Sequence, residues 1–211
     1  MAHVAIVDYG TGNVSSIARM LAPLGASYTY TRDPGQLRAA THLIMPGVGH
    51  CRRAMERMRE EGTVEVLHEL VMTRKVPVLG ICLGMQLMTS YSEEADMECL
   101  GWFTDRTLQL RPRDTRKLKV PNIGWHLIRQ QADSDIFEGL AVDRRPFYFC
   151  HKYAVAAKDE HAHLADFAYG ERYVAALQRD NIVGVQFHPE KSQEAGATLM
   201  ANFLKMGGRD V

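Results

Sequence analysis

The segment VPVLGICLG, residues 76–84, joins a short apolar run to a glycine-flanked turn that carries a cysteine. The apolar run 76–81 is typical of a β-strand that is buried on both faces. Helical spacing resumes from Leu83, so the segment predicts a strand, a sharp turn and a helix. Its glycines allow a strained turn that holds the Cys82 sulfur clear of the sheet, where the helix N-terminus favours a thiolate. A buried, inert core cysteine is the alternative, and this segment alone does not exclude it.

The same alternation extends through the first half of the chain. Apolar runs at 4–7, 27–31 and 42–45 predict three further strands, each followed by a loop and a stretch with helical spacing. Strands that alternate with helices indicate βαβ units and a mostly parallel sheet.

The second half has a different pattern. Residues 164–177 predict a hairpin, residues 182–187 an apolar strand and residues 193–205 a closing helix. Residues 92–118 are polar and irregular, so we expect an exposed excursion there. With no repeat or linker, we expect a single domain over residues 1–211. The expected fold class is an open, mostly parallel α/β sheet with helices on both faces and antiparallel strands in the C-terminal half.

Composition excludes several classes of protein. The chain has 211 residues, 25 Lys plus Arg, 25 Asp plus Glu and 46% hydrophobic residues. Balanced charge argues against a general nucleic-acid binder. The sequence has no run of about 18 apolar residues, so it predicts no membrane span. The N-terminus is expected to be a first strand, not a signal peptide. Four cysteines without a C-x-x-C pair favour reduced thiols in the cytoplasm and argue against a zinc ribbon.

A second motif supplies the groups that a thiolate nucleophile requires. The segment FHPE, residues 187–190, follows an apolar strand and holds His188 and Glu190 two residues apart. In an extended segment this spacing places both side chains on one side, so the carboxylate can fix the tautomer of the imidazole. An incidental histidine in a surface turn is the alternative. Because open α/β folds place their sites at the carboxyl ends of strands, we predict a catalytic triad of Cys82, His188 and Glu190.

Acyl chemistry also requires N–H donors for an oxyanion. The backbone N–H of Leu83, one residue past the sulfur, is the first candidate. The loop PGVG, residues 46–49, also follows a strand and can offer a second donor from Gly47, Val48 or Gly49. A plain turn is the alternative for this loop, since proline–glycine pairs are common in turns.

Weaker signals predict no additional site. The segment HAH, residues 161–163, lacks an evident third metal ligand and is expected at the surface. The basic segment 111–119 has no interleaved aromatic residues, so it predicts a solvated excursion or a partner contact and not a nucleic-acid site. The GTG segment, residues 10–12, fails the dinucleotide fingerprint because Ser15 stands at the third glycine position.

The combined motifs resemble the class I, triad-type glutamine amidotransferases. More narrowly, the chain is similar to the glutaminase subunits of imidazole glycerol phosphate synthase. The match is ordered and covers nearly the whole chain. The segments that carry it are VDYGTGN at 7–13, PGVG at 46–49, GICLGMQ at 80–86, PNIGW at 121–125, YFCH at 148–151 and FHPEKS at 187–192.

The resemblance implies a reaction that needs neither a cofactor nor a metal. Cys82 attacks the side-chain amide carbon of L-glutamine, backbone N–H groups hold the oxyanion, and His188 protonates the departing ammonia. Water then hydrolyses the γ-glutamyl thioester and releases glutamate. Gln86 and Glu94 match family positions that contact glutamine. From the residues alone, Gln86 could equally be an exposed helical residue and Glu94 a solvated acid.

The resemblance also implies a protein partner. In the family, ammonia passes to a (β/α)8-barrel cyclase subunit within a heterodimer. The cyclase makes imidazole glycerol phosphate and an aminoimidazole carboxamide ribonucleotide in histidine biosynthesis. The aromatic residues of the implied interface could instead be ordinary aromatic residues of the protein core or of its rim. The positions that match that interface are Asn13, Trp125, Tyr148, His151 and Lys191.

The chain departs from the usual family pattern at Asn122, His126, Cys150 and Lys152. The family usually has His before the glycine–tryptophan segment and Asn after it, whereas here Asn122 precedes it and His126 follows it. We expect these positions where the partner docks. Two alternatives therefore stay open, namely a paralogous glutaminase that supplies ammonia for sugar amidation in surface-polysaccharide synthesis and a catalytically silent regulatory or scaffold subunit. A cysteine peptidase or chaperone with a related turn is a third, weaker rival.

Overall fold

The computed structural model describes residues 2–10, 12–114, 116–156 and 163–207. Six α-helices run through the described residues: α1 (Val14–Leu21), α2 (Pro34–Ala39), α3 (Cys51–Glu60), α4 (Thr63–His68), α5 (Leu83–Met88) and α6 (Gln193–Phe203). The strands are β1 (His3–Val7), β2 (Ser27–Thr31), β3 (His42–Met45), β4 (Val78–Ile81), β5 (Tyr91–Ser92), β6 (Met97–Glu98), β7 (Arg106–Gln109), β8 (Asn122–His126), β9 (Arg129–Gln130), β10 (Phe147–His151), β11 (Tyr153–Val155), β12 (His163–Tyr169), β13 (Glu171–Arg179) and β14 (Ile182–Val185).

The predicted mixed sheet is confirmed. Among the described residues, eight strands form one sheet in the order β2-β1-β3-β4-β14-β13-β12-β9. The first five strands in this order are parallel, and the remaining pairs are antiparallel. The predicted hairpin is β12–β13. The parallel strands direct the ends of β4 and β14 to the same sheet edge, which is where the cysteine and histidine motifs begin.

Alternating side chains of the central strands enter two separate cores. In β1, Val4 and Ile6 face the core that α1 and α6 cover, while Ala5 and Val7 face the core that α2 to α5 cover. All four side chains are fully buried. Both sheet faces are therefore covered by helices, which explains why β1 reads as a continuous apolar run and not as an alternating one.

Residues 92–118 correct one expectation in part, because residues 92–110 are not an exposed excursion, whereas Arg113 and Arg116 are exposed as expected. It contains β6 and β7, which join β5 and β11 in a four-stranded sheet with the order β11-β7-β5-β6. Trp102 and Phe103 are only 1% and 2% exposed and pack in the core beneath α3 and α5. Trp102 and Phe103 thus attach this segment to the core. Its strands are too short to give a periodic sequence pattern, and β7 pairs with β11, which is distant in the sequence.

The surface expectation for residues 161–163 is also wrong for His163. Its side chain is buried, and Nε2 lies 2.9 Å from Oδ1 of Asp105, which comes from the four-stranded region. Residues 161 and 162 lie outside the described residues. Asp105 is distant in sequence, so the local HAH pattern gave no indication of this buried pair.

A separate two-stranded ribbon, β8 with β10, lies beside the carboxyl edge of the main sheet. In its antiparallel register, Trp125 is opposite Tyr148, and Asn122 is opposite His151. Trp125 is 45% exposed, whereas Asn122 is fully buried. Because side chains alternate along a strand, the ribbon has one outer face and one face toward the protein interior.

Candidate active site

Cys82 occupies a strained turn between β4 and α5. Its backbone has φ 49° and ψ −100°, a conformation that is unfavourable for a residue with a side chain. Cys82 N donates a 2.7 Å hydrogen bond to Val185 O, which ties the turn to the end of β14. A Cβ atom at Gly80 would lie 2.7 Å from Met85 N, and one at Gly84 would collide with Met45 O. Both glycines are therefore required for the close packing that holds the turn.

His188 and Glu190 form a buried pair beyond the end of β14. His188 Nδ1 lies 2.8 Å from Glu190 Oε1, and each side chain is 2% exposed. His188 N donates to Tyr148 O at 2.8 Å, so the ribbon fixes the backbone of this turn. Glu190 Oε2 is buried and has no hydrogen-bond partner among the described residues. The carboxylate thus directs its hydrogen bonding to the imidazole alone.

The charge state of His188 follows from its partners. Burial alone would lower the pKa of His188, but hydrogen bonds to Cys82 and Glu190 outweigh burial and raise this pKa to about 10. An imidazolium is therefore the stable form at neutral pH. A charged imidazole that is hydrogen-bonded to Cys82 can act as a proton donor at this sulfur.

Gln186 is a neighbour of the sulfur that the sequence did not identify. Its side chain is fully buried, and Nε2 lies 3.5 Å from Cys82 Sγ. Its Oε1 accepts a 3.1 Å hydrogen bond from Nε2 of Gln86, which also donates to Tyr153 O at 2.9 Å. The available signal was its position two residues before His188, since i and i+2 positions of an extended chain face the same way.

A cavity of about 320 Å³ opens onto the sulfur. Its volume lies at the small end of the usual range for ligand sites, roughly 300–1,000 Å³, and suits an amino acid. Larger cavities of about 570 and 560 Å³ lie elsewhere and include neither Cys82 nor His188. The lining of the small cavity includes Cys82, His188, Gly47, Val48, Gly49, Leu83, Gln86 and Glu94.

The two polar candidates for substrate contact are ordered by the protein. Gln86 is only 5% exposed, so it is not the surface helical residue that composition allowed. Glu94 is half-buried, and its Oε2 accepts a 2.8 Å hydrogen bond from Cys51 N. Neither side chain is a freely solvated group, and both lie on the cavity wall.

The glycine loop after β3 passes directly over the cysteine turn. A Cβ atom at Gly47 would lie 2.9 Å from Cys82 Cβ and would collide with Ile81 O. Gly49 has φ 148°, and Tyr9 OH donates to Pro46 O. The loop therefore needs glycine both for its close approach and for its backbone angle, which a plain surface turn would not require.

Three of the implied interface positions lie together on the outer surface. The rings of Trp125 and Tyr148 are 5.6 Å apart and nearly perpendicular. Lys191 is exposed, and its Nζ lies 5.3 Å from the centre of the Tyr148 ring. Ile123 is 59% exposed on the same face of β8 as Trp125. Asn13 is half-buried at the residue before α1.

His151 is only 5% exposed and lines the 320 Å³ cavity, which Lys191 also lines. Asn122 and His126, which were also expected where the partner docks, face the inner side of the ribbon. Asn122 is fully buried, and its amide lies 3.1 Å from His151 Nε2 and 2.7 Å from His126 Nε2. Alternation along the strand turns these side chains inward while Trp125 turns outward. Cys150 and Lys152 line the cavity.

The part of the chain that the structure describes contains no helix long and apolar enough to cross a membrane. Within the same residues, no group of three or more His, Cys, Asp or Glu side chains is arranged to hold a metal ion.

Comparison with known proteins identifies the class. The sequence profile described as "Glutamine amidotransferase class-I" matches residues 5–206. A solved structure described as "Crystal structure of glutamine amidotransferase" superposes with a TM-score of 0.73 at 17% identity, covering 97% of this chain and 98% of the other, which supports the fold. The chain belongs to the class I glutamine amidotransferases.

Two curated relatives narrow this assignment. The chain is 40% identical over 202 residues to "Imidazole glycerol phosphate synthase subunit HisH 2" of Methanococcus maripaludis, with 96% of this chain and 98% of the relative covered. It is 38% identical over 203 residues to the protein of the same name from Pseudomonas aeruginosa, with 96% and 99% covered. Within its class, the chain belongs to the HisH family.

Proposed function

We propose that this chain is the glutaminase subunit of an imidazole glycerol phosphate synthase in histidine biosynthesis. It hydrolyses L-glutamine to glutamate and ammonia, and it passes ammonia to a (β/α)8-barrel cyclase subunit in a heterodimer. The observation that carries the glutaminase assignment is the position of Cys82, in a strained turn beside the buried His188–Glu190 pair and facing an amino-acid-sized cavity. We further propose one domain over residues 1–211, acting in the cytoplasm.

The hydrogen-bond pattern supports the following steps of the proposed reaction. Because Glu190 engages Nδ1 of His188, the imidazole has Nε2 available for the sulfur and the leaving group. Cys82 Sγ attacks the amide carbon of glutamine, and the imidazolium gives its Nε2 proton to the departing nitrogen. Neutral His188 then takes a proton from water, which hydrolyses the thioester and releases glutamate. Glu190 stabilises the charged ring at the start and at the end of the cycle.

The remaining cavity residues bind substrate and oxyanion in this proposal. Leu83 N–H follows the sulfur directly, and the loop of Gly47, Val48 and Gly49 approaches from the opposite side. Gln86 and Glu94 contact the α-amino and α-carboxyl end of glutamine as parts of a larger polar set. The internal hydrogen bonds of both side chains support this role, since ordered groups bind with less loss of entropy.

The outer surface around Trp125 is proposed to bind the cyclase. Exposed Trp125 and Ile123, with Tyr148 and Lys191 beside them, combine apolar area with polar ends, which is typical of interface centres. Asn13 is proposed at the edge of this contact. Since the curated relatives described above are named as synthase subunits, the histidine pathway is favoured over sugar amidation. The intact triad disfavours a silent scaffold.

The central test measures glutamate release with and without the cyclase. Cys82→Ala is expected to abolish turnover while folding and partner binding are retained. Cys99→Ala, assayed under reducing conditions, is the matched control because Cys99 lies outside the cavity lining. Undiminished turnover in Cys82→Ala would remove this sulfur from the mechanism.

The same assay tests the dependence on the partner. We expect weak activity in the isolated subunit, since the oxyanion loop is proposed to need the partner to set its geometry. Equal rates with and without the cyclase would refute that coupling.

A further inference from the structure

Two cysteines outside the proposed triad are in contact beside the glutamine cavity. Cys51 begins α3 and is fully buried, while Cys99 follows β6 and is partly exposed. Their Sγ atoms are 3.6 Å apart. A disulfide bond has a length of about 2.05 Å, so the sulfurs need to approach by roughly 1.5 Å. These two thiols are 48 residues apart in sequence, and only the fold brings them together.

We propose that Cys51 and Cys99 form a reversible dithiol–disulfide site that controls glutamine binding through Glu94. The effect on glutamine rests on the proposed function, whereas formation of the disulfide does not. The reduced pair is the active form, and oxidation weakens the binding of glutamine without any change at the triad.

The surroundings of Cys51 favour its thiolate. The Cys99 thiol donates toward Cys51, and this hydrogen bond lowers the pKa of Cys51 although burial opposes the effect. Cys51 also stands at the first turn of a ten-residue helix, where the backbone dipole favours a negative charge. Cys99 is partly exposed, and its contact with Cys51, together with burial, raises the pKa of its thiol. Cys51 is therefore the nucleophile of the pair, and Cys99 is the thiol that resolves it.

A peroxide is the oxidant class that this arrangement suits, and the step balances with hydrogen peroxide. The Cys51 thiolate attacks one peroxide oxygen, the O–O bond breaks, and Cys51 becomes a sulfenic acid, while the hydroxide that leaves takes the proton that Cys51 lost. The Cys99 sulfur then attacks the Cys51 sulfur, the S–OH bond breaks, and the departing hydroxide takes the Cys99 thiol proton. Two thiols and one peroxide give one disulfide and two waters. A small thiol reverses the change by exchange.

Glu94 connects the cysteine pair to the cavity. Its Oε2 accepts a 2.8 Å hydrogen bond from the backbone N–H of Cys51 itself, and its side chain lines the cavity. The segment from Glu94 to Cys99 is held against α3 by two arginine side chains. Arg52 donates to Ala95 O, and Arg59 donates to Glu98 O at 2.9 Å.

Because of these contacts, any movement of the Cys51 main chain toward Cys99 also moves the N–H group that holds Glu94. The start of α3, the Glu94 side chain and the 95–99 segment form one connected unit. Displacing one charged hydrogen-bond partner of a ligand is expected to weaken binding about tenfold.

The experiment uses the full chain with Cys82→Ala, so that oxidation of the nucleophile cannot affect the result. The protein is treated with hydrogen peroxide or with a reducing thiol, and peptide mass spectrometry identifies the disulfide. Glutamine affinity is measured by calorimetry in both states. Cys82→Ala combined with Cys99→Ser is the matched control, because it cannot form the bond. Circular dichroism confirms that each variant is folded.

We expect a 51–99 disulfide and an about tenfold loss of glutamine affinity that a reducing thiol restores, with no change in the control. Absence of the 51–99 linkage after peroxide treatment would overturn the site. A disulfide that leaves glutamine affinity unchanged would overturn the proposed effect of Glu94 on glutamine binding. Failure of the reduced protein to bind glutamine would count against the proposed function instead, while the mass spectrum would still decide whether the cysteine site exists.

Discussion

Replacing Glu190 with Gln tests whether the buried carboxylate sets the charge of His188. The substitution keeps the shape of the side chain and removes its charge at a site where only 2% of the side chain is exposed. The 2.8 Å contact with Nδ1 then changes from a charged hydrogen bond to a neutral one. The Gln amide group also takes the place of Oε2, which has no hydrogen-bond partner among the described residues.

The size of the effect follows from these contacts. A hydrogen bond to a charged group contributes about 1.5–3 kcal/mol, and about 1.4 kcal/mol corresponds to one pH unit. The pKa of His188, which stands at about 10, should therefore fall by roughly 1 to 2. Turnover should fall roughly 10- to 100-fold, since the same interaction stabilises the ring that donates the proton. KM should change little, because Glu190 is absent from the cavity lining.

The assay is glutamate release with the cyclase present, together with NMR titration of the His188 ring. Glu194→Gln is the matched control, since Glu194 pairs with Arg145 at the surface and is 78% exposed there. That control should keep the rate and the titration of the parent protein. If Glu190→Gln keeps both the His188 pKa and the turnover rate, the reasoning about the carboxylate is refuted.

Three further predictions follow from other contacts. Gln186→Leu should lower kcat/KM about tenfold, because it removes a hydrogen-bond donor to Cys82 Sγ. Gln186→Glu should have the same effect. An unchanged kcat/KM in both variants would contradict this role of Gln186. Between pH 6.5 and 4 the free energy of unfolding should fall by about 3 kcal/mol through His151, because burial lowers its pKa to about 4 and the unfolded chain takes up the proton first. Urea denaturation over this pH range should show a smaller fall for His151→Gln, and equal slopes would oppose the assignment. Trp125→Ala should weaken cyclase binding by roughly 30-fold or more while the activity of the free subunit is retained, and unchanged binding would exclude this face.

Local patterns predicted the parts of the molecule that local geometry determines. The glycines around Cys82 specify a turn that few other residues permit, and the apolar run before them specifies a doubly covered strand. The His188–Glu190 spacing reflects a contact between near neighbours in the chain. In each case the residues that make the feature are within a few positions of one another.

Contacts between residues that are far apart in the sequence were missed, because local patterns do not reveal them. Gln186 donates to a sulfur 104 residues away, and Asp105 meets His163 across 58 residues. The 92–118 region pairs with β11, far along the chain, so its short strands show no pattern of their own. Neither hydrophobic periodicity nor residue type contains that information.

The departure at Asn122 and His126 can be interpreted from the hydrogen bonds alone. His151 Nδ1 faces a carbonyl oxygen, Tyr153 O at 2.8 Å, and must donate to it, so its Nε2 accepts from the Asn122 amide nitrogen. The Asn122 oxygen is then left to accept from His126 Nε2. Burial lowers the pKa of His126 and of His151, which keeps both rings neutral as this sequence of donors and acceptors requires.

Tyr153 O, where this chain of hydrogen bonds ends, also receives the Gln86 amide. The asparagine and histidine therefore support the cavity wall on the inner face of the ribbon. Ile123 and Trp125 are exposed on its outer face, which is the face proposed to bind the partner. A change of residue at 122 or 126 should alter glutamine affinity before it alters the choice of partner, and a measurement of both in Asn122→Ala separates the two effects.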